Sequence, residues 1–157
     1  MDRKCVCVLD MDETLGFSTG DTFHVRPKFQ TLLNLLRLIR ADIVLWSMGS
    51  DEYVHRVVNG FLPELATRVY KLFARTECNY SETYYSYPKA SRHIRDMYPH
   101  SIFLIAIDDT VSQNMDEQYD LRIHVQPYTK VDSCDKELVL VCDKIINGIV
   151  ELSNQDV

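Results

Sequence analysis

The run VLDMDETL, residues 8–15, carries two carboxylates one residue apart, Asp10 and Asp12, and the hydroxyl of Thr14 two places further on. A fixed carboxylate can attack phosphorus or hold a hard cation, and a second one beside it can move a proton as general acid or base. Alone, Asp-x-Asp-x-Thr is a weak signal. A calcium loop is excluded, because its sixth and twelfth positions require Gly and Glu, and here they hold Leu15 and Asp21. A solvated turn after a strand stays open while this motif stands by itself.

Other apolar runs end in related groups. Ile43 to Trp46 stops at the hydroxyl of Ser47, and Ile102 to Ile107, the most hydrophobic run in the chain, stops at Asp108 and Asp109. Between them Lys89 follows Pro88 and opens a predicted helix. Acids that bind a cation, a hydroxyl and an ammonium are the groups that neutralise a phosphoryl group in transfer.

The elements that must position these residues alternate between strand and helix. Val6 to Leu9 reads as a buried strand, followed by a polar loop, Gly16 to Asp21. Pro27 is placed as a first helical residue, after which Phe29, Leu32, Leu33, Leu36 and Ile39 give one apolar face. Ile43 to Trp46 is the second strand. Ser50 is the expected N-cap of the next helix, with Asp51 and Glu52 in its first turn. A short helix at Pro63 and a third strand over Val69 to Ala74 follow. Arg75 to Pro88 reads as irregular and tyrosine-rich, Ser91 to Met97 as helical, and Leu121 to Val125 as a short strand. A C-terminal helix is expected from about Ser133, burying Leu138, Cys142, Ile145 and Ile149. The fold class this implies is α/β: a doubly wound, Rossmann-like parallel sheet with helices on both faces and no large cap domain. In such sheets ligands bind beyond the carboxyl ends of the strands, which is where the acids, Ser47 and Lys89 fall.

Composition bounds the reading. The 157 residues are expected to form one domain, 1–157, with 46% hydrophobic and 25% charged residues, ordinary for a globular protein. A net charge of −6 argues against a general nucleic-acid binder. No apolar run approaches the roughly 18 residues that span a bilayer, so no membrane partner is expected, and the N-terminus lacks a signal-peptide pattern. Five cysteines without framework spacing point to a reducing compartment, cytoplasm or nucleus. Cys5 and Cys7 fall on one face of the first strand, as small buried residues or as a redox pair.

Together these residues resemble the four motifs of the haloacid dehalogenase superfamily of phosphotransferases. Within it the chain is most similar to the small RNA polymerase II C-terminal-domain phosphatases, the NLI-interacting-factor-like group. That group typically shows Asp-Leu-Asp-Glu-Thr-Leu, against Asp10-Met11-Asp12-Glu13-Thr14-Leu15 here. Arg26-Pro27 resembles the group's Arg-Pro, and Leu45-Trp46-Ser47 stands where Phe-Thr is usual. Arg75-Thr76-Glu77-Cys78 resembles Arg-Glu-Ser-Cys, Tyr87-Pro88-Lys89 matches Tyr-x-Lys, and Val125-Gln126-Pro127-Tyr128 falls near a Val-x-x-Trp or Tyr segment. Ser47 in place of threonine keeps the hydroxyl, while Asp109 in place of asparagine adds a negative charge.

The resemblance implies a Mg²⁺-dependent phosphatase in which Asp10 is the nucleophile and Asp12 the general acid and base. Metal ligands would be the Asp10 and Asp109 side chains and the Asp12 backbone carbonyl. Ser47, Lys89, Thr14 and Arg75 would serve phosphate binding, and Asp108 would anchor Lys89 from behind. A dianionic ester meeting these carboxylates is opposed by roughly 4 kcal/mol per like-charge contact at about 4 Å, so a divalent cation is expected. The implied substrate is phosphoserine or phosphothreonine of a protein, since nothing long enough to form a cap interrupts the motifs. A nucleic-acid 3′-phosphate or a small phosphate ester is the second reading, and a catalytically silent binding scaffold the third. Tyr80, Tyr84, Tyr85 and Tyr87 are either loop packing or a peptide-docking surface, Arg75 either a phosphate contact or a solvated side chain. The five histidines show no ligand spacing.

Overall fold

The computed structural model describes residues 3–155. The outermost positions of the expected 1–157 domain therefore lie outside the described residues. β1 (Lys4–Leu9) is followed by a hairpin of β2 (Gly16–Thr19) and β3 (Thr22–Val25), then α1 (Phe29–Leu38), β4 (Asp42–Trp46), α2 (Asp51–Phe61) and α3 (Pro63–Arg68). β5 (Lys71–Phe73), α4 (Arg75–Tyr85), α5 (Ser91–Arg95), β6 (Ile102–Asp108), α6 (Val111–Asn114), β7 (Leu121–His124) and α7 (Glu137–Gln155) complete the chain.

Five strands form one sheet in the order β5-β4-β1-β6-β7, with every pairing parallel. The chain steps outward from β1 to β4 and β5, then returns to the other side of β1 with β6. That reversal opens a crevice at the carboxyl ends of β1 and β6. Strand alternation divides the core. Cys5, Cys7 and Leu9 of β1 join Ile43, Leu45, Ile105 and Ile107 on the face covered by α1, α2, α3 and α7. Val6, Val8, Trp46, Leu104 and Ala106 face the opposite side, under Cys78 of α4, Ile94 of α5 and Val111 of α6. Both faces are covered, as a parallel sheet requires. No large cap domain stands over the strand ends among the described residues.

Four local expectations are corrected. The polar loop Gly16 to Asp21 is part of the β2–β3 hairpin, turned by Gly20 at φ +58°. A Cβ on Gly16 would lie 2.3 Å from the His24 carbonyl oxygen, so close pairing at that end needs glycine. Arg75 to Pro88 is mostly helix: the Glu77 carboxylate accepts from the Ala74 N–H at 2.7 Å and starts α4. Only Cys78 and Ser81 of that helix are buried, so no apolar period betrays it. Pro27 lies two residues before α1, because Lys28 turns the chain at φ 71°. α7 starts at Glu137, whose N–H donates to Asp135 Oδ1 at 3.2 Å, and not at Ser133.

Asp135 has a second task. Its carboxylate takes both arms of Arg26, Nε at 2.8 Å and Nη2 at 3.0 Å, and Arg26 is 2% exposed. The same guanidinium donates to the carbonyls of Glu13 and Thr14, each at 3.3 Å. The tail thus braces the loop that carries Asp12. Asp135→Ala strands a buried guanidinium and uncaps α7, and we expect a loss of about 2–4 kcal/mol in urea denaturation at neutral pH. Arg26 holds the Asp135 carboxyl below the usual carboxylate range. A depressed folded value gives stability that is present above the ordinary value near 4 and fades as pH falls, so the gap between wild type and variant should narrow below about pH 4.

Candidate active site

The crevice between β1 and β6 collects the charged groups. Asp10 continues β1 by donating its N–H to Ile107 at 3.0 Å, which aims its side chain past the sheet end. Lys89, completely buried, comes in from the turn after α4 and donates to Asp10 Oδ1 at 2.9 Å and Asp108 Oδ2 at 2.6 Å. Its backbone is held by its own N–H on the Asn114 carbonyl, 3.0 Å, and by the Tyr119 hydroxyl on its carbonyl, 2.8 Å. The Ser81 hydroxyl braces the same turn, donating to the Tyr87 carbonyl and accepting from the Ala90 N–H.

Thr14 joins the two strand ends. Its single proton goes to Asp10 Oδ2 at 2.8 Å, and its oxygen accepts from the Asp109 N–H at 3.2 Å. Asp108 is fully engaged: Oδ1 accepts from the Thr110 N–H and hydroxyl, and Oδ2 from Lys89 and, at 3.4 Å, from Asn114. Asp109 is different. Among the described residues its carboxylate has no hydrogen-bond donor nearer than the Thr14 hydroxyl at 3.5 Å. Carboxylate oxygens of Asp10, Asp108 and Asp109 lie within 4.8 Å of one another.

Burial and then neighbouring charge set the proton affinities. Burial pushes Asp10 up to about 8, with Lys89 opposing and Asp108 adding. Asp109 is raised by burial and by Asp108. Burial would also raise Asp108, but Lys89 and the Thr110 hydrogen bonds outweigh it and hold it below the usual range. For Lys89, burial disfavours the ammonium, yet Asp10 and Asp108 outweigh it and keep it charged.

The loop beyond Asp10 is tightly wound, with Glu13 at φ 66°. Met11 accepts from the Leu15 N–H, Glu13 from the Tyr128 N–H and Arg26, and Thr14 from Arg26. Of the carbonyls from Met11 to Thr14, only that of Asp12 is left without a hydrogen bond among the described residues. The Asp12 carboxylate faces Ser47, whose hydroxyl is 3.5 Å from Oδ2, and Oδ1 accepts from the Tyr53 hydroxyl at 2.6 Å. Ser47 is buried at the end of β4, and its oxygen accepts from the Gly49 N–H at 3.0 Å.

Asp10, Asp12, Thr14, Ser47, Lys89, Asp108 and Asp109 are therefore brought together. Arg75 is not among them. It is exposed, and it donates from Nε to the Met48 carbonyl at 3.3 Å, bracing the loop after Ser47. Tyr53, Thr110, Asn114 and the Arg26–Asp135 pair were not read from the sequence as parts of the site. Arg26-Pro27 was legible only as a matching dipeptide, and Tyr53 lies among the polar residues of a helix start. Tyr80 stacks on Tyr84 with ring centroids 4.6 Å apart and lies 5.3 Å from His93, while the Tyr85 hydroxyl donates to Asp96. A cavity of about 340 Å³ lined by Tyr85, Tyr87, Arg92 and Arg95 lies near that cluster, and no residue of the acid crevice borders it.

Acids thus stand at the ends of two adjacent parallel strands of a Rossmann-like sheet, with a buried lysine bridging them. The chain belongs to the NLI interacting factor-like phosphatase family, whose model matches residues 5–157. That family is one of phosphatases. Among solved structures, it is similar to Fcp1, described as an essential RNA polymerase II CTD phosphatase, at 16% identity and a TM-score of 0.53, covering 90% of this chain and 49% of the other. A variant of fission yeast Fcp1 bound to beryllium fluoride is similar at 15% identity and a TM-score of 0.50, over 95% and 51% of the two chains. The chain thus spans about half the length of these structures, and the likeness is one of fold. No curated protein sequence matches it.

Replacing Lys89 leaves Asp10 and Asp108 buried without their counter-charge. Lys89→Met is expected to cost about 3–5 kcal/mol in thermal or urea denaturation, and adding Asp108→Asn should return part of it. A loss below about 1 kcal/mol would show that the ion triad does not hold the crevice.

Proposed function

We propose that the chain is a Mg²⁺-dependent phosphatase that passes through an aspartyl-phosphate on Asp10 and acts on phosphoserine or phosphothreonine of a protein. The observation that carries this reading is the buried Lys89 ammonium held between Asp10 and Asp108 at the mouth of the β1–β6 crevice.

The donor set fits a hard cation: the Asp10 carboxylate, the under-used Asp109 carboxylate and the unengaged Asp12 carbonyl are all oxygen. These three groups would hold Mg²⁺, which supplies the positive charge a dianionic ester needs in order to approach four aspartates.

Thr14 and Lys89 fix the two oxygens of Asp10, each of which keeps a lone pair for attack. One of them bonds to phosphorus in line while the ester P–O bond breaks. Lys89 has a third N–H beyond those given to Asp10 and Asp108, and Ser47 has its own proton, for the phosphoryl oxygens. Asp12 protonates the departing oxygen, then takes a proton from the water that hydrolyses the aspartyl-phosphate. Inorganic phosphate leaves and Asp10 is restored.

An uncapped crevice favours a phosphate displayed on a macromolecule over a small ester. The Fcp1 structures, named for action on the polymerase tail, favour a protein over a nucleic acid. All five cysteines are free, in keeping with cytoplasm or nucleus.

The test compares wild type with Asp10→Asn and Asp12→Asn on an aryl phosphate, with Mg²⁺ and with chelator. Wild type should turn over only with Mg²⁺, Asp10→Asn should abolish turnover, and Asp12→Asn should lose about 10²–10⁴-fold. Beryllium fluoride with Mg²⁺, a phosphoryl mimic that mounts on a carboxylate, should raise the melting temperature of wild type and not of Asp10→Asn. Neither turnover nor stabilisation would leave the silent scaffold as the better account. Phosphopeptides, 3′-phosphorylated oligonucleotides and small esters then compete as substrates.

A further inference from the structure

This inference rests on the phosphatase reading above and names what aims its general acid. Asp12 must turn one oxygen toward the ester oxygen, and mere proximity is not enough. The loop backbone does not decide which oxygen that is. Tyr53, at the start of α2, places its hydroxyl 2.6 Å from Asp12 Oδ1 and also 2.6 Å from the Ser18 hydroxyl on β2. The 3.5 Å approach of Ser47 to Oδ2 is too long to fix the carboxylate.

The tyrosine is itself immobilised. Its N–H donates to the Ser50 side chain at 3.2 Å, capping the helix. Its ring fills the space beside Gly49, where a Cβ would come within 2.8 Å of Tyr53 Cδ2. Arg56 lies 5.6 Å over the ring and pairs with Asp21 at the hairpin turn. A phenol has one proton. Given to Asp12, it leaves the phenol oxygen to accept from Ser18, so a directed chain runs from the hairpin to the carboxylate.

We infer that Tyr53 is the positioning residue of Asp12: its hydroxyl, braced by Ser18, holds Oδ1 and thereby presents Oδ2, the oxygen nearer Ser47, to the leaving group. With Oδ1 already accepting a hydrogen bond, the proton that Asp12 delivers sits on Oδ2. The hairpin therefore contributes to the chemistry through Tyr53.

Tyr53→Phe keeps the ring against Gly49 and removes only the hydroxyl. The measurement is kcat and KM for wild type and variant on a series of aryl phosphates of rising leaving-group pKa, ending in a phosphoserine peptide. A good leaving group needs little protonation, so p-nitrophenyl phosphate should lose no more than about threefold, and the peptide roughly 10- to 100-fold, in kcat rather than KM. Ser18→Ala should show the same trend, more weakly. In an Asp12→Asn background, Tyr53→Phe should add nothing to the residual aryl phosphatase rate.

A uniform loss across the series that persists in the Asp12→Asn background would make Tyr53 merely structural and overturn the inference. So would unchanged rates throughout. Either outcome leaves the phosphatase reading intact, provided turnover still requires Asp10. A wild type whose turnover needs neither Asp10 nor Asp12 overturns both.

Discussion

The interaction on which the rest of the molecule depends is the pairing of one buried ammonium with two buried carboxylates. Lys89 reaches Asp10 and Asp108 at 2.9 and 2.6 Å with no exposure to water. An ion that deep is tolerated only when its charge is met. That demand explains several features with no other evident purpose. Tyr119 and Asn114 hold the Lys89 backbone, Ser81 ties down the turn before it, and Thr110 and Asn114 occupy Asp108 from behind. The lysine also makes the α4–α5 connection part of the crevice, although that connection lies far in sequence from β1.

The crevice is nonetheless over-supplied with acid. Four aspartates meet one ammonium, and burial raises Asp10 and Asp109 above the ordinary carboxylate range. Such a cluster lowers stability unless a counter-charge meets it. Carboxylate oxygens of Asp10, Asp108 and Asp109 lie within 4.8 Å of one another, at the end of the strand that leads into the Asp12 loop. Misplaced negative charge in the free protein becomes a matched donor set once a hard cation is present.

Much of this was legible in the sequence, for physical reasons. Strands buried on both faces read as continuous apolar runs, so β1, β4 and β6 and the polar residues at their ends stood out, and with them the fold class. The Ser50 cap was visible because its side chain must accept from the helix start, as it does at 3.2 Å. What was missed is what local pattern does not encode. The hairpin strands are four residues each and form a separate two-stranded sheet. α4 buries only two side chains and so has no apolar stripe. Arg26 with Asp135, and Tyr53 with Asp12, are 109 and 41 residues apart. Such partnerships exist only once the sheet has set both ends in place.

Those long-range pairs also explain how a site without a large cap can be rigid. Many enzymes order their catalytic groups by closing a lid, which orients side chains as it excludes water. Here the Asp12 loop is held from two sides in the resting state. Arg26 and the Tyr128 N–H take the Glu13 carbonyl from the tail side, while Tyr53 and Ser18 take the carboxylate from the hairpin side. Asp12 is gripped by a helix and a hairpin at the side of the crevice, with no large cap closing over it among the described residues. Orientation that is built in beforehand carries no ordering cost at the moment of binding. A crevice without a large cap therefore gains more from fixed walls than from a moving roof.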